Sequence, residues 1–287
     1  MPRALLVVIA AALLLSAPAR SQSLLLLGAG GRGAPAGGGG LPATNKTFHA
    51  DAADTDRLWK EVGMTNHPAD TESVVAWDDE ADATTWFLKQ NGAAPPSYCA
   101  AGLNSLGCVR FDGTNDALRM RLDDDSAFVA ISNIITNSAY TIFVAFRMEG
   151  DASNNAGAFN NDPIYGDTDG YMGLVLKTDT GVHTLNAFNY DGSEDISFVT
   201  ISQSTNYVAM IKHVGGNLSI NVNNGALTDT DASGNTSVLT GSLQVGTTNS
   251  TSTFANVKIG EIIIYNADVT GTDLSDAWTF LMAKWVP

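Results

Sequence analysis

The spacing of apolar residues after Val74 limits this chain more than any other feature. Apolar segments of strand length recur there, and turn residues interrupt them roughly every 8 to 12 residues. The clearest segments are 117–122, 140–148, 171–177, 182–190, 197–202, 207–214, 217–223, 242–246 and 257–265. About nine to twelve such strands predict an all-β, antiparallel sandwich or jelly roll.

Two local patterns add detail. Gly215 and Gly216 separate two of the apolar segments, which predicts a hairpin whose turn has positive φ. Near the C-terminus, Thr270 and Asp273 have the spacing of a capping box, and apolar residues recur on one helical face. These residues are Leu274, Ala277, Trp278, Leu281 and Trp285. The pattern predicts a short amphipathic helix packed on the sandwich, and another helix-like stretch is expected at 54–62.

The region before Val74 divides into three segments. Residues 1–21 contain Arg3, an apolar run and small residues, which is typical of a secretory signal peptide; the run is shorter than the ~20 residues of a membrane span. The alternative is a buried N-terminal helix that is retained. Residues 22–44 form a glycine-rich tether that follows four leucines, and this segment either docks into another chain or extends the leader. The leucines are Leu24, Leu25, Leu26 and Leu27. Residues 45–73 are an acidic lead-in to a domain at 74–287.

Composition and charge exclude several classes of protein. The chain is 44% hydrophobic and 16% charged, which is ordinary for a globular protein and argues against disorder or a membrane bundle. Fifteen Lys and Arg against 30 Asp and Glu give a formal charge of -15. Such a field repels phosphate backbones and anionic headgroups, so we do not expect nucleic acid as a partner.

Several segments, in this order, carry a family resemblance. They are VAWD at 75–78, APPSY at 94–98, AGLN at 101–104, VRFDGTND at 109–116, the segments 140–147 and 207–223, GEIIIYN at 260–266 and the ending at 281–285. Together they resemble laminin-G-like, concanavalin A-like lectin/glucanase domains, in which a strand ends in Phe-Asp-Gly-x-x-Asp. The resemblance covers 74–287 and implies an antiparallel jelly-roll sandwich with a short C-terminal helix. It implies no single function, because one fold hosts many sites.

The motifs of catalysis are missing from the sequence. A retaining glucanase on this fold resembles a two-carboxylate enzyme with a Glu-x-Asp-x-x-Glu strand, and no such run occurs; Glu261 stands alone, and Glu194 has only an adjacent Asp195. The four histidines lack the spacing of a zinc site, and His213 is expected at an exposed polar position. We therefore expect a protein that is not an enzyme.

Acidic loops make calcium the candidate cofactor. Hard cations bind several oxygens from carboxylates and carbonyls, which loops at the rim of a sandwich can supply. The candidate ligands are Asp112, Asp116, Asp167 and Asp169. The alternative for Asp112 is a turn in which its carboxylate accepts backbone hydrogen bonds.

Cys99 and Cys108 are the only cysteines. They flank a turn-like octet, so their Cα atoms can approach to the distance of a disulfide, and an exported chain favours that bond. The alternative is two buried free thiols.

Glycan binding is the function that these features favour. An aromatic ring stacks on the apolar face of a sugar, while carboxylates and amides bind its hydroxyls. The candidate residues are Phe159, Tyr165, Tyr171, Tyr190 and Asp191. Each ring has the alternative of packing beneath its own loop.

We therefore expect a secreted or cell-surface domain that binds a glycan or a surface protein through rim loops, with calcium and without turnover. The first alternative is a bacteriophage virion protein, a capsid decoration or tail component, whose four leucines make an assembly contact. The second is a glycan-degrading hydrolase or lyase.

Overall fold

Short strands rich in apolar residues build two large antiparallel sheets, and the central strands Tyr140–Met148 and Asn256–Tyr265 are buried on both faces. The structure is a computed structural model that describes residues 40–81, 86–90, 94–122, 128–136, 138–150, 156–162, 171–179, 181–190, 194–225, 227–231, 241–249 and 253–286. These residues all belong to one compact unit, Gly37–Pro287. Within the described ranges, no helix has the length and apolar character needed to cross a membrane.

In chain order the elements are β1 (Lys46–Asp51), β2 (Leu58–Trp59), β3 (Ala76–Asp78), β4 (Trp86–Gln90), β5 (Ser97–Leu103), β6 (Leu106–Asp112), β7 (Leu118–Leu122), β8 (Tyr140–Met148), β9 (Ala156–Asp162), β10 (Tyr171–Asp179), β11 (Val182–Tyr190), β12 (Glu194–Ile201), β13 (Asn206–Val214), β14 (Asn217–Val222), β15 (Leu227–Asp231), β16 (Ser242–Val245), β17 (Thr247–Asn249), β18 (Thr253–Phe254), β19 (Asn256–Tyr265) and helix α1 (Gly271–Trp285). One sheet has eight strands, in the order β15-β14-β13-β8-β19-β6-β5, with β1 also paired to β19. The other has nine, in the order β12-β11-β10-β9-β16-β7-β4-β3-β2, and β17 and β18 form a small ribbon.

The core lies between the two large sheets. Each strand sends every second side chain inward, so that Phe111 and Phe146 of one sheet belong to the same apolar cluster as Trp77 and Leu174 of the other. A second cluster lies on the opposite face of the eight-stranded sheet, beneath α1, where the ring of Phe143 meets Trp278 edge to face at 5.4 Å. Among the described elements, α1 thus covers the outer face of the eight-stranded sheet and not that of the nine-stranded sheet.

The predicted β sandwich with a C-terminal helix is confirmed. The predicted hairpin is β13 and β14, and its turn residues have φ of 61° at Gly215 and 82° at Gly216, as the glycine pair indicates. Helix α1 begins after Thr270, but the side chain of Thr270 makes no capping hydrogen bond.

Two local expectations were wrong. The stretch 54–62 contains a 3-10 turn, Thr55–Arg57, followed by β2, and not a longer helix, because Leu58 and Trp59 pair with Trp77 and Ala76 in the nine-stranded sheet. His213 is buried and not exposed. Its imidazole stacks on Tyr140 and its Nδ1 lies 2.7 Å from a backbone carbonyl oxygen.

Candidate functional site

One cross-strand row of residues crosses the outer face of the nine-stranded sheet. The antiparallel register places Lys89 of β4 opposite Arg119 of β7, and Arg119 opposite Gln244 of β16. We call these three residues the polar row. The same row of the sheet continues at Trp59, Ala76, Asn160, Gly173 and Phe188. Two cations and a carboxamide therefore lie side by side on adjacent strands, about 5 Å apart along the hydrogen-bonding direction.

Strand alternation explains why the polar row lies opposite the core. Arg119 and Gln244 each lie between two apolar residues that face inward, as in the LRMRL sequence of β7, and Lys89 follows one. The inward neighbours are Leu88, Leu118, Met120, Leu243 and Val245. The row is nevertheless shielded from solvent, since Lys89 is only 4% exposed and Arg119 only 7%.

Arg119 is held in one orientation. Its Nε donates a hydrogen bond to Ser242 Oγ at 3.0 Å, and its guanidinium carbon lies 3.7 Å from the centre of the Phe128 ring. Arg121, two residues further along β7, lies 4.3 Å from the same ring centre. Because ring contacts and a hydrogen bond fix these side chains before any ligand arrives, little side-chain freedom remains to be lost on binding.

Gln244 has an unusual environment. It is fully buried, and neither its amide nitrogen nor its amide oxygen has a hydrogen-bond partner among the described residues. A buried polar group without a partner costs about 1–3 kcal/mol of stability. The described residues thus leave both the donor and the acceptor of this amide unsatisfied at the end of the polar row.

A small cleft opens beside Lys89. It has a volume of about 70 Å³, and its lining residues are Val62, Val75, Ala76, Lys89 and Gln90. Val62 at its edge is 62% exposed. Lys89 of the polar row is therefore one of the residues that line this cleft.

An exposed aromatic residue lies on the same sheet at its far edge. Phe198 of β12 is 55% exposed, whereas its neighbour Val199 is buried in the core. Its register partner is Asn186 of β11. An exposed ring beside an amide is the kind of pair that contacts a sugar.

The predicted glycan-binding residues are only partly described. The backbone of Phe159 is opposite Leu174 and Val245, two core residues, in the register of β9 with its neighbours. Tyr171 and Tyr190 form a direct cross-strand pair, two positions along their strands from Gly173 and Phe188. Tyr165 and Asp191 lie outside the described residues.

Two of the four predicted calcium ligands, Asp112 and Asp116, lie within the described residues. Asp112 accepts a hydrogen bond from the amide of Thr114 at 2.7 Å, and Asp116 accepts one from the amide of Asp112 at 2.9 Å. Burial raises the pKa of Asp116 to about 6. These bonds are those of the turn alternative. Asp167 and Asp169 lie outside the described residues, and calcium binding stays a prediction.

The pairing of Cys99 with Cys108 that the spacing predicts is present. The two residues are direct partners across β5 and β6, with their Cα atoms 5.2 Å apart, and they form a disulfide. Gly102 packs against it so closely that a Cβ there would lie 2.0 Å from Cys108 Sγ.

A buried charge cluster surrounds Glu261, the carboxylate that stands alone on its strand. Glu261 accepts hydrogen bonds from Lys284 Nζ at 2.9 Å and Trp285 Nε1 at 2.6 Å, and it bonds His49 Nε2 at 2.6 Å. A bulge in β19 at Gly260 gives it this position, and a Cβ on Gly260 would lie 2.6 Å from the Trp285 ring. The cluster therefore fastens α1 to β1 and β19.

Charge pairing controls the protonation of this cluster. Burial alone would lower the pKa of His49, but its hydrogen bonds to Glu261 and Glu80 outweigh burial and raise the pKa to about 9. Burial would raise the pKa of Glu261, but His49 and Lys284 outweigh it and lower the pKa to about 2. Both groups are thus charged at neutral pH, and each neutralises the other.

The same cluster contains residues that could coordinate a metal ion, but these residues already form ion pairs with one another and with Lys284. His49, Asp51 and Glu80 place potential ligand atoms within 4.8 Å of one another. However, Lys284 forms an ion pair with Asp51, and both nitrogens of His49 face carboxylates, Glu261 and Glu80. The positive charges already present there disfavour a cation, so the arrangement is that of a structural ion network.

Sequence reasoning missed the polar row, although one signal of it was available. In the LRMRL run of β7, the two arginines lie on one face of the strand, and the core residues Leu118 and Met120 lie on the other face. The position of Lys89 and Gln244 beside them depends on pairing between strands that are far apart in sequence.

Comparisons with known proteins support the fold. No model of a protein family matches the sequence, and no curated protein matches it. The fold is similar to Trypanosoma rangeli sialidase in complex with 2,3-difluorosialic acid, with a TM-score of 0.55 and 12% identity over 86% of this chain and 34% of that one. The chain thus spans about a third of the sialidase.

Two further structures are similar to this chain. Domain 4 of AbnA, a GH43 extracellular arabinanase from Geobacillus stearothermophilus, in complex with arabinotriose, has a TM-score of 0.52 and 12% identity over 81% of this chain and 98% of that one. The binding domain of botulinum neurotoxin serotype D has a TM-score of 0.53 and 10% identity over 83% and 51%. At identities this low, the structural similarity shows only a shared β-sandwich fold of the jelly-roll type. The narrower resemblance to laminin-G-like domains stays a prediction.

Proposed function

We propose that this chain is a non-enzymatic domain that binds a glycan on the outer face of its nine-stranded sheet. The polar row carries this proposal, and above all the buried, unpartnered amide of Gln244. Sugars offer many hydroxyl groups, each both donor and acceptor, and a carboxamide has the matching pair of donor and acceptor atoms. The domain of arabinanase AbnA, similar in fold over nearly its whole length, is in complex with arabinotriose, which is consistent with a glycan as the ligand.

The layers of the fold favour this face over the other. Helix α1 covers the outer face of the eight-stranded sheet, and its Trp278 and Trp285 are buried there. The nine-stranded sheet has the cleft at Lys89 near one edge and the exposed ring of Phe198 near the other. A glycan chain is long enough to contact several strands, so a sheet face with polar and aromatic groups along it suits a polysaccharide better than a single enclosed pocket does.

The proposal does not include hydrolysis. Glu261, the carboxylate that stands alone on its strand, is buried, and both of its oxygens accept hydrogen bonds from the cluster around it. A catalytic acid needs a raised pKa, whereas the ion pairs of Glu261 with His49 and Lys284 lower its pKa.

Affinity retention on a panel of immobilised polysaccharides and bacterial surface glycans tests the proposal. The purified protein should be retained by at least one glycan and should release no new reducing ends from it. The change Gln244→Met removes the amide at nearly constant volume and should weaken binding by about tenfold or more, because hydrogen bonds to a buried partner are lost. Gln203→Met makes the same chemical change in a surface turn and should leave binding unchanged.

Three outcomes contradict the proposal. Retention by no glycan removes the function, and equal binding by Gln244→Met moves the site away from the polar row. Release of reducing sugar in proportion to protein concentration identifies a hydrolase. If that release is lost in Glu194→Gln, the carboxylate at the start of β12 is part of the reaction.

A further inference from the structure

We propose that Asn224, in the turn between β14 and β15, is a site of spontaneous deamidation, which converts this residue to aspartate and isoaspartate. The reaction needs the chain itself and water, and no other reagent. The turn belongs to the eight-stranded sheet, so the inference goes beyond the proposed function and does not depend on it.

The turn places an asparagine directly before a glycine at the surface. Asn224 and Gly225 are both exposed. The φ angles of Asn223, Asn224 and Gly225 are 51°, 55° and 90°, in the region that asparagine tolerates and glycine favours. A Cβ on Gly225 would meet only Asn221 Nδ2, at 3.9 Å, so the space around the glycine is open. No side chain of Gly225 therefore shields its backbone nitrogen from the carboxamide of Asn224.

The chemistry uses atoms of these two residues. The backbone nitrogen of Gly225 attacks Cγ of Asn224. The N–Cγ bond forms, the Cγ–Nδ2 bond breaks, and the proton of the attacking nitrogen leaves with Nδ2 as ammonia. Water then opens the cyclic imide, at the side-chain carbonyl to give aspartate or at the backbone carbonyl to give isoaspartate. One water is consumed and one ammonia is released, and reactions of this kind are why asparagine is a thermolabile residue.

The neighbouring asparagines are held by hydrogen bonds. Asn223 Oδ1 accepts a hydrogen bond from the amide of Val208 at 2.9 Å. Asn221 Oδ1 accepts one from the amide of Gly225 at 2.6 Å. Among the described residues, the exposed carboxamide of Asn224 makes no hydrogen bond. It is therefore the carboxamide in this hairpin that has the freedom to reach the nitrogen after it.

An aspartate that also precedes a glycine is restrained. Asp112 comes before Gly113, whose φ is 79°. Its Oδ1 accepts a hydrogen bond from the amide of Thr114 at 2.7 Å, and formation of the imide would break this contact. We therefore expect conversion at Asn224 well before any change at Asp112.

One hydrogen bond controls the rate at Asn224. The N–H of Gly225 is donated to Asn221 Oδ1, and the nitrogen of the imide carries no hydrogen. The bond is therefore lost on the way to the transition state. Its loss slows the reaction by about two- to tenfold, the strength of one net hydrogen bond. Asn221 thus protects Asn224, and the folded turn should react more slowly than the unfolded chain.

The product alters a strand at the end of the sheet. The turn leads into β15, which pairs with β14 and is the last strand in the order of the eight-stranded sheet. Isoaspartate adds a carbon atom to the backbone of the turn, and turn geometry sets the register of a hairpin. It also adds a negative charge to a hairpin that already contains Asp229 and Asp231. Both effects should weaken the pairing of β15 with β14.

Peptide mapping of the aged protein tests the inference. The purified protein is incubated at physiological temperature and mildly alkaline pH, beside a sample unfolded in urea. Mass spectrometry should find the mass of deamidation at Asn224, and an isoaspartate-specific methyltransferase should label the product. The rate should rise with pH, because the attacking nitrogen must lose its proton. Fragment spectra separate this site from Asn91–Gly92, the other Asn-Gly pair of the sequence, which lies outside the described residues.

Variants assign the reaction to this turn. Asn224→Gln keeps a carboxamide but lengthens its arm by one carbon, so ring closure is slower and conversion should fall to background. Asn217→Gln makes the same change at the exposed start of β14 and should leave conversion at Asn224 unchanged. Asn221→Ala removes the acceptor of the Gly225 N–H and should speed conversion by about two- to tenfold. Thermal melting shows whether each variant is folded, and the wild-type protein decides the question if one is not.

The outcomes are distinct from those of the glycan experiments, since no glycan enters the measurement. An unchanged Asn224 in the folded protein, after a time in which the unfolded chain is converted, overturns the inference. Conversion of Asn217 or Asn223 ahead of Asn224 overturns it as well. An unchanged rate in folded Asn221→Ala overturns the protection by Asn221.

Discussion

Replacement of Gln244 by Met should make the free protein more stable while it weakens ligand binding. The amide of Gln244 is fully buried and has no hydrogen-bond partner among the described residues. Removal of an unsatisfied buried amide recovers about 1–3 kcal/mol. For a protein of this size, each kcal/mol corresponds to about 2–4 °C in Tm, so we expect Tm to rise by several degrees.

Ser242→Ala is the matched control. Ser242 lies on the same strand, two residues before Gln244, and is equally buried, but it accepts a hydrogen bond from Arg119 Nε at 3.0 Å. Its removal leaves a charged donor without that partner and should destabilise the protein by about 1.5–3 kcal/mol. The two variants therefore move Tm in opposite directions, although both remove a buried polar group from β16.

Thermal denaturation of the two variants, with and without a retained glycan, measures the effect. The glycan should raise the Tm of the wild-type protein by mass action and should raise that of Gln244→Met much less. A lower Tm for Gln244→Met without glycan would refute the reasoning, because it would mean that the amide already has its hydrogen bonds in the free protein.

Three further predictions concern stability. Reduction of the Cys99–Cys108 disulfide should cost about 2–3 kcal/mol, the entropy of a loop this short, as measured by Tm with and without reductant; two titratable thiols in the native, unreduced protein would contradict the bond. Stability should fall as pH rises from about 6.5 to about 9, because the pKa of His49 is about 9 in the folded protein and about 6.5 in the unfolded chain. At about 1.4 kcal/mol per pKa unit, the loss of unfolding free energy is about 3 kcal/mol. Measurements of stability against pH should show no such loss in His49→Gln. Gly260→Ala places a Cβ 2.6 Å from the Trp285 ring and should destabilise the protein by about 1–3 kcal/mol, with a changed tryptophan emission; unchanged emission and Tm would show that α1 shifts without cost.

Strands of the candidate site were predicted from the sequence, but the cross-strand partners of their residues were not. The sequence singled out aromatic residues near turns, but Phe159 has a register opposite two core residues, and Tyr171 has Tyr190 as its direct partner. A burst of apolar residues predicts a strand and does not predict its register. For the same reason, the sequence showed Glu261 as an isolated carboxylate. Its partners His49 and Lys284 are more than 20 residues from it in the sequence, one before it and one after it.

Local patterns were sufficient for the elements of the fold. Apolar segments of strand length between turn residues predicted β8 and β11 with their bounds, the glycine pair predicted the turn of β13 and β14, and the apolar stripe predicted α1. These features depend on residues within one strand, one turn or one helical face, where φ, side-chain period and burial are determined nearby.

Only the tertiary structure decided which polar side chains meet. The polar row brings together residues that are far apart in sequence, since 155 positions separate Lys89 from Gln244. The antiparallel register of β4, β7 and β16 makes these residues and Arg119 neighbours. A shift of one residue in any of these pairings would send the whole polar face into the core, so the register is set by the burial of the apolar residues on the opposite face. The sequence by itself determined that there would be a sandwich with an apolar interior. The pairing of distant strands, which no local pattern encodes, determined that two cations and an unpartnered amide would share one row of its outer face.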